Sequence, residues 1–239
     1  AEYLMLKEGV EIEILLPNSG PLSRLLTEKS VPIKFYNPVK YKSTAISIMN
    51  DKFRIPNPIA WAWNLTAILL NIFRIRKHIT SNIDLVITKG LLNHFASGLA
   101  CKSLIIPVIC HLQDLITNRY FGFMKYIFNI FAKFIPSYVI CDGQSIQKQL
   151  GKNNKTKSIV ILNGIKTETF IPNKESRLKI RHELKIPLDG YVIGHVARIT
   201  PWKGQDCLLK AFLNYSKQNP NAYLLLVGTP LFDNDHYYN

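Results

Sequence analysis

Acidic side chains are scarce: 16 Asp and Glu face 30 Lys and Arg, leaving a formal net charge of +14. The imbalance is not a tail, because 14 basic and 8 acidic residues precede or include Tyr120, and 16 and 8 follow it. A generally cationic surface results, suited to nucleotides, anionic lipid or nucleic acid. Cysteine is scarce as well. Cys101, Cys110, Cys141 and Cys207 stand apart without a C-x-x-C pair, which fits a reducing cytosol better than a disulfide framework or a zinc site. No helix-turn-helix, zinc-finger or aromatic RNA-binding pattern accompanies the charge, so nucleic acid is not the expected partner. Long apolar runs are also missing. Residues 59–73 are rich in Trp, Ile and Leu but are interrupted by Asn64 and Asn71, and fall short of the ~20 residues that span a bilayer. A core helix is expected there, with an interfacial helix, its basic end on lipid headgroups, as the second reading.

What is present begins with 47% apolar residues, enough for a real core and for one large domain or one and a half. Short β-branched runs recur between helical patterns. Residues 11–16 and 31–36 read as strands around a short helix at 22–26, and the basic stretch 29–54 reads as a solvated loop face. DLVIT at 84–88, VIC at 108–110, 137–141 and 158–162 read as further strands, with helices at 93–102 and 144–150. Strand–helix–strand units of this length predict right-handed crossovers in a parallel, doubly wound sheet. Ligands bind such sheets at the strands' carboxyl ends. His111 falls at one of them.

The most aromatic region is 120–134. Phe123, Ile127, Ile130, Phe131 and Phe134 share a helical face, read here as core, while Phe121, Tyr126 and Phe128 fall off it. Aromatics beside Lys125 and Lys133 also suit a membrane interface. That makes an anionic membrane surface a second expectation.

Residues 194–206 read GHVARITPWKGQD. A strand precedes them at Tyr191, Val192 and Ile193, and a helix follows with Cys207, Leu208, Ala211, Phe212 and Tyr215 on one face. Thr200 is the expected N-cap and Pro201 the first helical residue. Lys203 would then sit at the positive end of a helix with Gly204 behind it, a local rule broken as at functional sites. An anion held by the free N–H groups, with Arg198 nearby, would explain the lysine; a solvated lysine is the plain alternative.

The stretch resembles the donor-binding loop of family 4 glycosyltransferases, retaining enzymes that use nucleotide-sugar donors. The similarity continues in Arg181-His182-Glu183-Leu184 before Ile186-Pro187, in Pro220-Asn221-Ala222 before Leu224-Leu225-Leu226-Val227-Gly228, and in the tail at 231–238. It implies two Rossmann-like domains of the GT-B type: residues 1–166 on the acceptor side, then 167–239 as the start of a truncated nucleotide-sugar-binding domain. It implies that Arg198 and Lys203 grip the donor diphosphate with Gly204, and that His111 reaches the transferred sugar with Asp114 as an orienting neighbour. Asn163 and Gly164, in the turn Asn163-Gly164-Ile165, would present backbone to the donor, Gly164 being free to take positive φ. His111, Arg198 and Lys203 are the expected catalytic residues.

No metal or other cofactor is implied. The partners are a nucleotide-diphosphate-sugar donor and a glycan or lipid-linked acceptor, and the expected place is the cytoplasm, peripherally on the cytoplasmic membrane face. Ala197 and Thr229 stand where many relatives have Gly and Asp. The family's initial glycine-rich loop and its two later glutamates are not in the sequence, which opens in a helical pattern without methionine. An inactive fragment is therefore expected, and a non-catalytic binding subunit of the same fold is the rival reading.

Overall fold

Residues 2–48, 53–116 and 122–230 are described by the computed structural model; the tail at 231–238 and Tyr120 and Phe121, read above, lie outside them. The chain divides into two compact units, 1–164 and 165–239.

In the first unit, α1 (Glu2–Glu8) precedes β1 (Ile14–Leu16), which pairs in parallel with β2 (Ile33–Phe35) across α2 (Pro21–Glu28). Next comes an antiparallel pair, β3 (Ala45–Ile48) and β4 (Phe53–Pro56). This corrects the loop reading of 29–54: strands of four residues with Ser or Arg among them are too short to show a clear period. After α3 (Pro58–Arg76), β5 (Val86–Lys89), α4 (Leu91–Ser103), β6 (Val108–Leu112), α5 (Phe123–Phe134), β7 (Tyr138–Cys141), α6 (Gln144–Gln147), α7 (Lys152–Lys155) and β8 (Ser158–Val160) follow. The four strands lie in sequence order in one parallel sheet. The described strands of this unit thus make a four-stranded sheet beside a separate parallel pair, not one continuous sheet. α6 ends at Gln147, short of the helix predicted over 144–150, and the one-turn α7 beyond Gly151 was not predicted.

The core lies between sheet and helices. Cys110, Leu112, Val139 and Cys141 from the sheet meet Phe95 of α4 and Phe128 and Phe131 of α5. The Phe95 and Phe131 rings are 4.8 Å apart, and Phe95 meets Phe128 edge-on at 6.1 Å. The face predicted for α5 is therefore rotated. Phe128, Phe131 and Ala132 are buried, whereas Phe123, Tyr126, Ile130 and Phe134 are exposed. Apolar residues nearly encircle this helix, so its richest stripe did not identify the inward one.

α3 departs from a plain core helix. Only the stripe Ala60, Asn64, Ala67, Asn71 and Ile75 is buried. Asn71 receives the Val39 N–H on Oδ1 at 2.7 Å and donates to the Val39 carbonyl at 3.0 Å; Asn64 repeats this with Lys42 at 2.8 and 2.9 Å. The interrupting asparagines are inner residues that complete the hydrogen bonds of an extended segment. With 19 residues and a mean hydropathy of 1.2, α3 is long and apolar enough to cross a membrane by length and composition.

In the second unit, α8 (Lys174–Glu183) leads to β9 (Tyr191–Val196), α9 (Gln205–Ser216) and β10 (Ala222–Val227). The two strands pair in parallel, as their matched aliphatic runs predict.

Candidate active site

Parallel register gathers polar side chains at the carboxyl edge of the first unit's sheet. β6 places His111 opposite Ile140, and Leu112 opposite Cys141. Asp142 therefore emerges just past β7 beside His111, and Asn163 lies beyond β8 at the same edge. His111 Nε2 is hydrogen-bonded to Asp142 Oδ1. The other carboxylate oxygen accepts from Asn163 Nδ2 at 3.0 Å and Gln113 Nε2 at 3.4 Å. Burial alone would raise the Asp142 pKa, but bonds from His111, Asn163 and Gln113 outweigh it and hold the carboxyl below its ordinary value. The group is a fixed anion that orients the imidazole.

Asp114 is exposed in the loop after β6, and the carboxylate bonded to His111 is Asp142's instead. Sequence reading missed Asp142, although its place directly after a predicted strand marks it by the strand-end rule. Gly164 is not among the residues with positive φ, so the conformational freedom expected of it is not used.

Behind this edge, Gly90, His94, Gln113 and Asp114 help to line a cavity of about 90 Å³. His94 is buried at 1% exposure, with Nδ1 2.5 Å from Thr88 Oγ1 and Nε2 unpartnered among the described residues. Burial, followed by the nearby His111, lowers its pKa to about 4.

In the second unit the loop at 197–204 joins β9 to α9. Pro201–Lys203 forms a separate 3₁₀ turn, and α9 starts only at Gln205. Gly204 stands between them with φ +73°, a left-handed conformation that favours glycine. This corrects the sequence reading. Lys203 precedes the α-helix rather than breaking its first turn, and Asp206 occupies that turn. Thr200 is fully buried and makes no capping bond. The loop is held from inside: Gln205 Nε2 donates to the Arg198 carbonyl at 2.8 Å, and Ala197 and Ile199 N–H groups donate to the Val227 and Thr229 carbonyls at 3.0 Å. A Cβ at Gly228 would stand 1.8 Å from the Ala197 carbonyl oxygen, so only glycine allows that approach. Arg198 and Lys203 are both exposed on this braced loop, and among the described residues neither has an acidic partner. Among the described residues, no three His, Cys, Asp or Glu side chains cluster as a metal site requires.

Residues 5–169 match the model of Glycosyltransferase Family 4. The chain belongs to that family. A Bacillus subtilis (strain 168) protein provisionally named as the teichuronic acid biosynthesis glycosyltransferase TuaC is 24% identical over 205 residues, 83% of this chain and 52% of that protein. Anabaena HepE, solved in complex with UDP and glucose, superposes on this family 4 chain with a TM-score of 0.71 at 19% identity, over 99% of this chain and 58% of HepE. A glycosyltransferase from Rickettsia africae ESF-5 gives 0.64 at 23% identity, over 95% and 54%. The fold is thus the α/β architecture of GT-B glycosyltransferases. The chain spans little more than half the length of these relatives.

Proposed function

We propose that the protein moves a sugar from a nucleotide-diphosphate donor to a glycan or lipid-linked acceptor, with retention of anomeric configuration, in envelope polysaccharide or glycolipid synthesis. It would act in the cytoplasm, peripherally on the membrane. The observation that carries this reading is the loop at 197–204: two exposed cations without acidic partners among the described residues, at the carboxyl end of β9 and the start of α9. The UDP complex of HepE supports it.

In this reading the bond from the sugar's anomeric carbon to the β-phosphate breaks, and charge grows on the departing oxygen. Arg198, Lys203 and the N-terminal end of α9 stabilise that charge, so no metal ion is needed. His111, its ring fixed by Asp142, positions the sugar, and Asn163 and Gly164 border the same edge. The acceptor oxygen bonds to the anomeric carbon on the face the phosphate leaves, and its proton passes to that phosphate.

The test replaces Arg198 or Lys203 by Ala in the protein at its full encoded length. Turnover of a UDP-sugar should fall roughly 10²–10³-fold for each, the effect of removing one preorganised contact. Unchanged turnover in the double variant would refute the assignment. UDP binding that depends on both cations, without turnover toward any acceptor, would favour a binding subunit.

A further inference from the structure

α3 is apolar on both sides. Its inward side combines Ala60, Asn64, Ala67, Asn71 and Ile75 with Ile68 and Ile72 packed on the core, while Ile59, Leu65, Leu69 and Phe73 on the outer side are still 77%, 62%, 51% and 63% exposed. No charged residue occurs from 58 to 73. A helix on the surface of a soluble protein turns charged and polar residues outward instead. α5 adds a second apolar outer face through Phe123, Tyr126, Ile130 and Phe134. The Trp61 and Phe123 rings, 5.6 Å apart, join the two helices at their N-terminal ends. A contiguous exposed apolar surface of this kind needs an occupant.

Charge selects the occupant. From Lys29 to Ile83 the sequence has nine basic residues and one acidic residue, Asp51. Arg74, Arg76 and Lys77 close the helix, and Lys42 lies 4.4 Å over the Trp63 ring. A second copy would set this basic segment against itself. An anionic bilayer offers acyl chains to the apolar face and negative headgroups to its rim.

We propose that the outer face of α3, extended by α5, docks the protein on an anionic lipid bilayer, with α3 lying in the interface. It does not span, because Asn64 and Asn71 hold its inner stripe to the backbone of Val39 and Lys42. α3 leads into the start of β5, so its N-terminal end lies at the sheet edge that carries His111. Phe123, which follows the carboxyl end of β6, contacts it there. Delivery of a lipid-linked acceptor along the bilayer to that edge rests on the transfer reading; the docking itself does not.

The experiment is co-sedimentation of the full chain with vesicles of phosphatidylcholine alone or mixed with phosphatidylglycerol, at low and high salt. The chain should pellet with the anionic vesicles and be released by salt. Leu69→Asp/Phe73→Asp should weaken pelleting more than tenfold. Arg76→Ser/Lys77→Ser should cost about 25-fold at low salt, at about fivefold for each cation near such a surface. Circular dichroism of both variants should match the parent. Equal pelleting of parent and aspartate variant overturns the proposal, as does negligible pelleting with both vesicles. A dimer that the aspartate pair makes monomeric, without lipid binding, assigns the face to a second copy. UDP binding is read in parallel: its loss with docking intact counts against the transfer reading alone, and the converse against docking alone.

Discussion

Acid should destabilise the first unit through one histidine. His94 is 1% exposed, and its pKa falls from 6.5 to about 4, chiefly by burial and then by the charge of His111. The unfolded chain protonates this imidazole near its ordinary pKa, while the folded chain holds it neutral. Between those values the unfolded form binds the extra proton, so stability is complete above the unfolded pKa and is lost as pH falls toward the folded one. At about 1.4 kcal/mol per pKa unit the loss approaches ~3 kcal/mol, and at pH 5 it is about 2 kcal/mol. Asp142 does not confound this window: its pKa is held below an ordinary value of 3.8, so its contribution is lost only at lower pH. Urea unfolding at pH 7 and pH 5, followed by Trp61 and Trp63 fluorescence in a Trp202→Phe background, measures the difference. Trp202 is 69% exposed and belongs to the second unit, so replacing it leaves fluorescence from the first unit alone. The midpoint should drop by about 1 M urea for a slope near 2 kcal/mol/M. His94→Gln should flatten the response. A midpoint that hardly moves in the parent, or moves equally in the Gln variant, refutes the reasoning.

Two further outcomes follow from burial. Asn71→Leu should destabilise by about 2 kcal/mol although it makes an apolar helix more apolar, because the Val39 N–H and carbonyl lose partners at ~1–3 kcal/mol each and leucine recovers only part; an equal or higher urea midpoint would show that those bonds contribute nothing. Burial pushes the Cys101 and Cys141 thiols up to about 11 and Cys110 to about 12, whereas Cys207 is exposed. A thiol reagent at pH 8 should then modify one cysteine per native chain and four after unfolding, and rapid modification of a second native thiol would contradict the packing.

The parallel strands were legible because each is a β-branched run bounded by turn residues, and a strand's end can be read without knowing its neighbour. That placed His111 at the carboxyl edge of β6, and the resemblance placed Arg198 and Lys203 on the loop before α9. Asp142 stood at a strand end that could be read in the same way, but its pairing with His111 could not, because that bond crosses between strands and depends on the register of β6 against β7. The start of α9 was misplaced for a local reason. Pro201 opens a 3₁₀ turn as readily as an α-helix, and only the left-handed Gly204 decides between them.

α3 and α5 failed to read for a shared reason. Helical period states which residues lie together, but the neighbour decides which face turns inward. α5 meets aromatic rings and strand side chains, and those contacts select Phe128 and Phe131 over the richer stripe beside them. α3 meets the bare backbone of Val39 and Lys42, whose N–H and carbonyl groups need amide partners more than methyl groups. Asparagine supplies both a donor and an acceptor, so the inner face is polar at those two positions, while Ile68, Ile72 and Ile75 serve the core and the other large apolar residues are left outside. Packing within the first unit thus explains Asn64 and Asn71 completely and leaves Ile59, Leu65, Leu69 and Phe73 unexplained. A lipid surface accounts for those four, and for the exposed Arg76 and Lys77 at the end of the same helix, with a single contact.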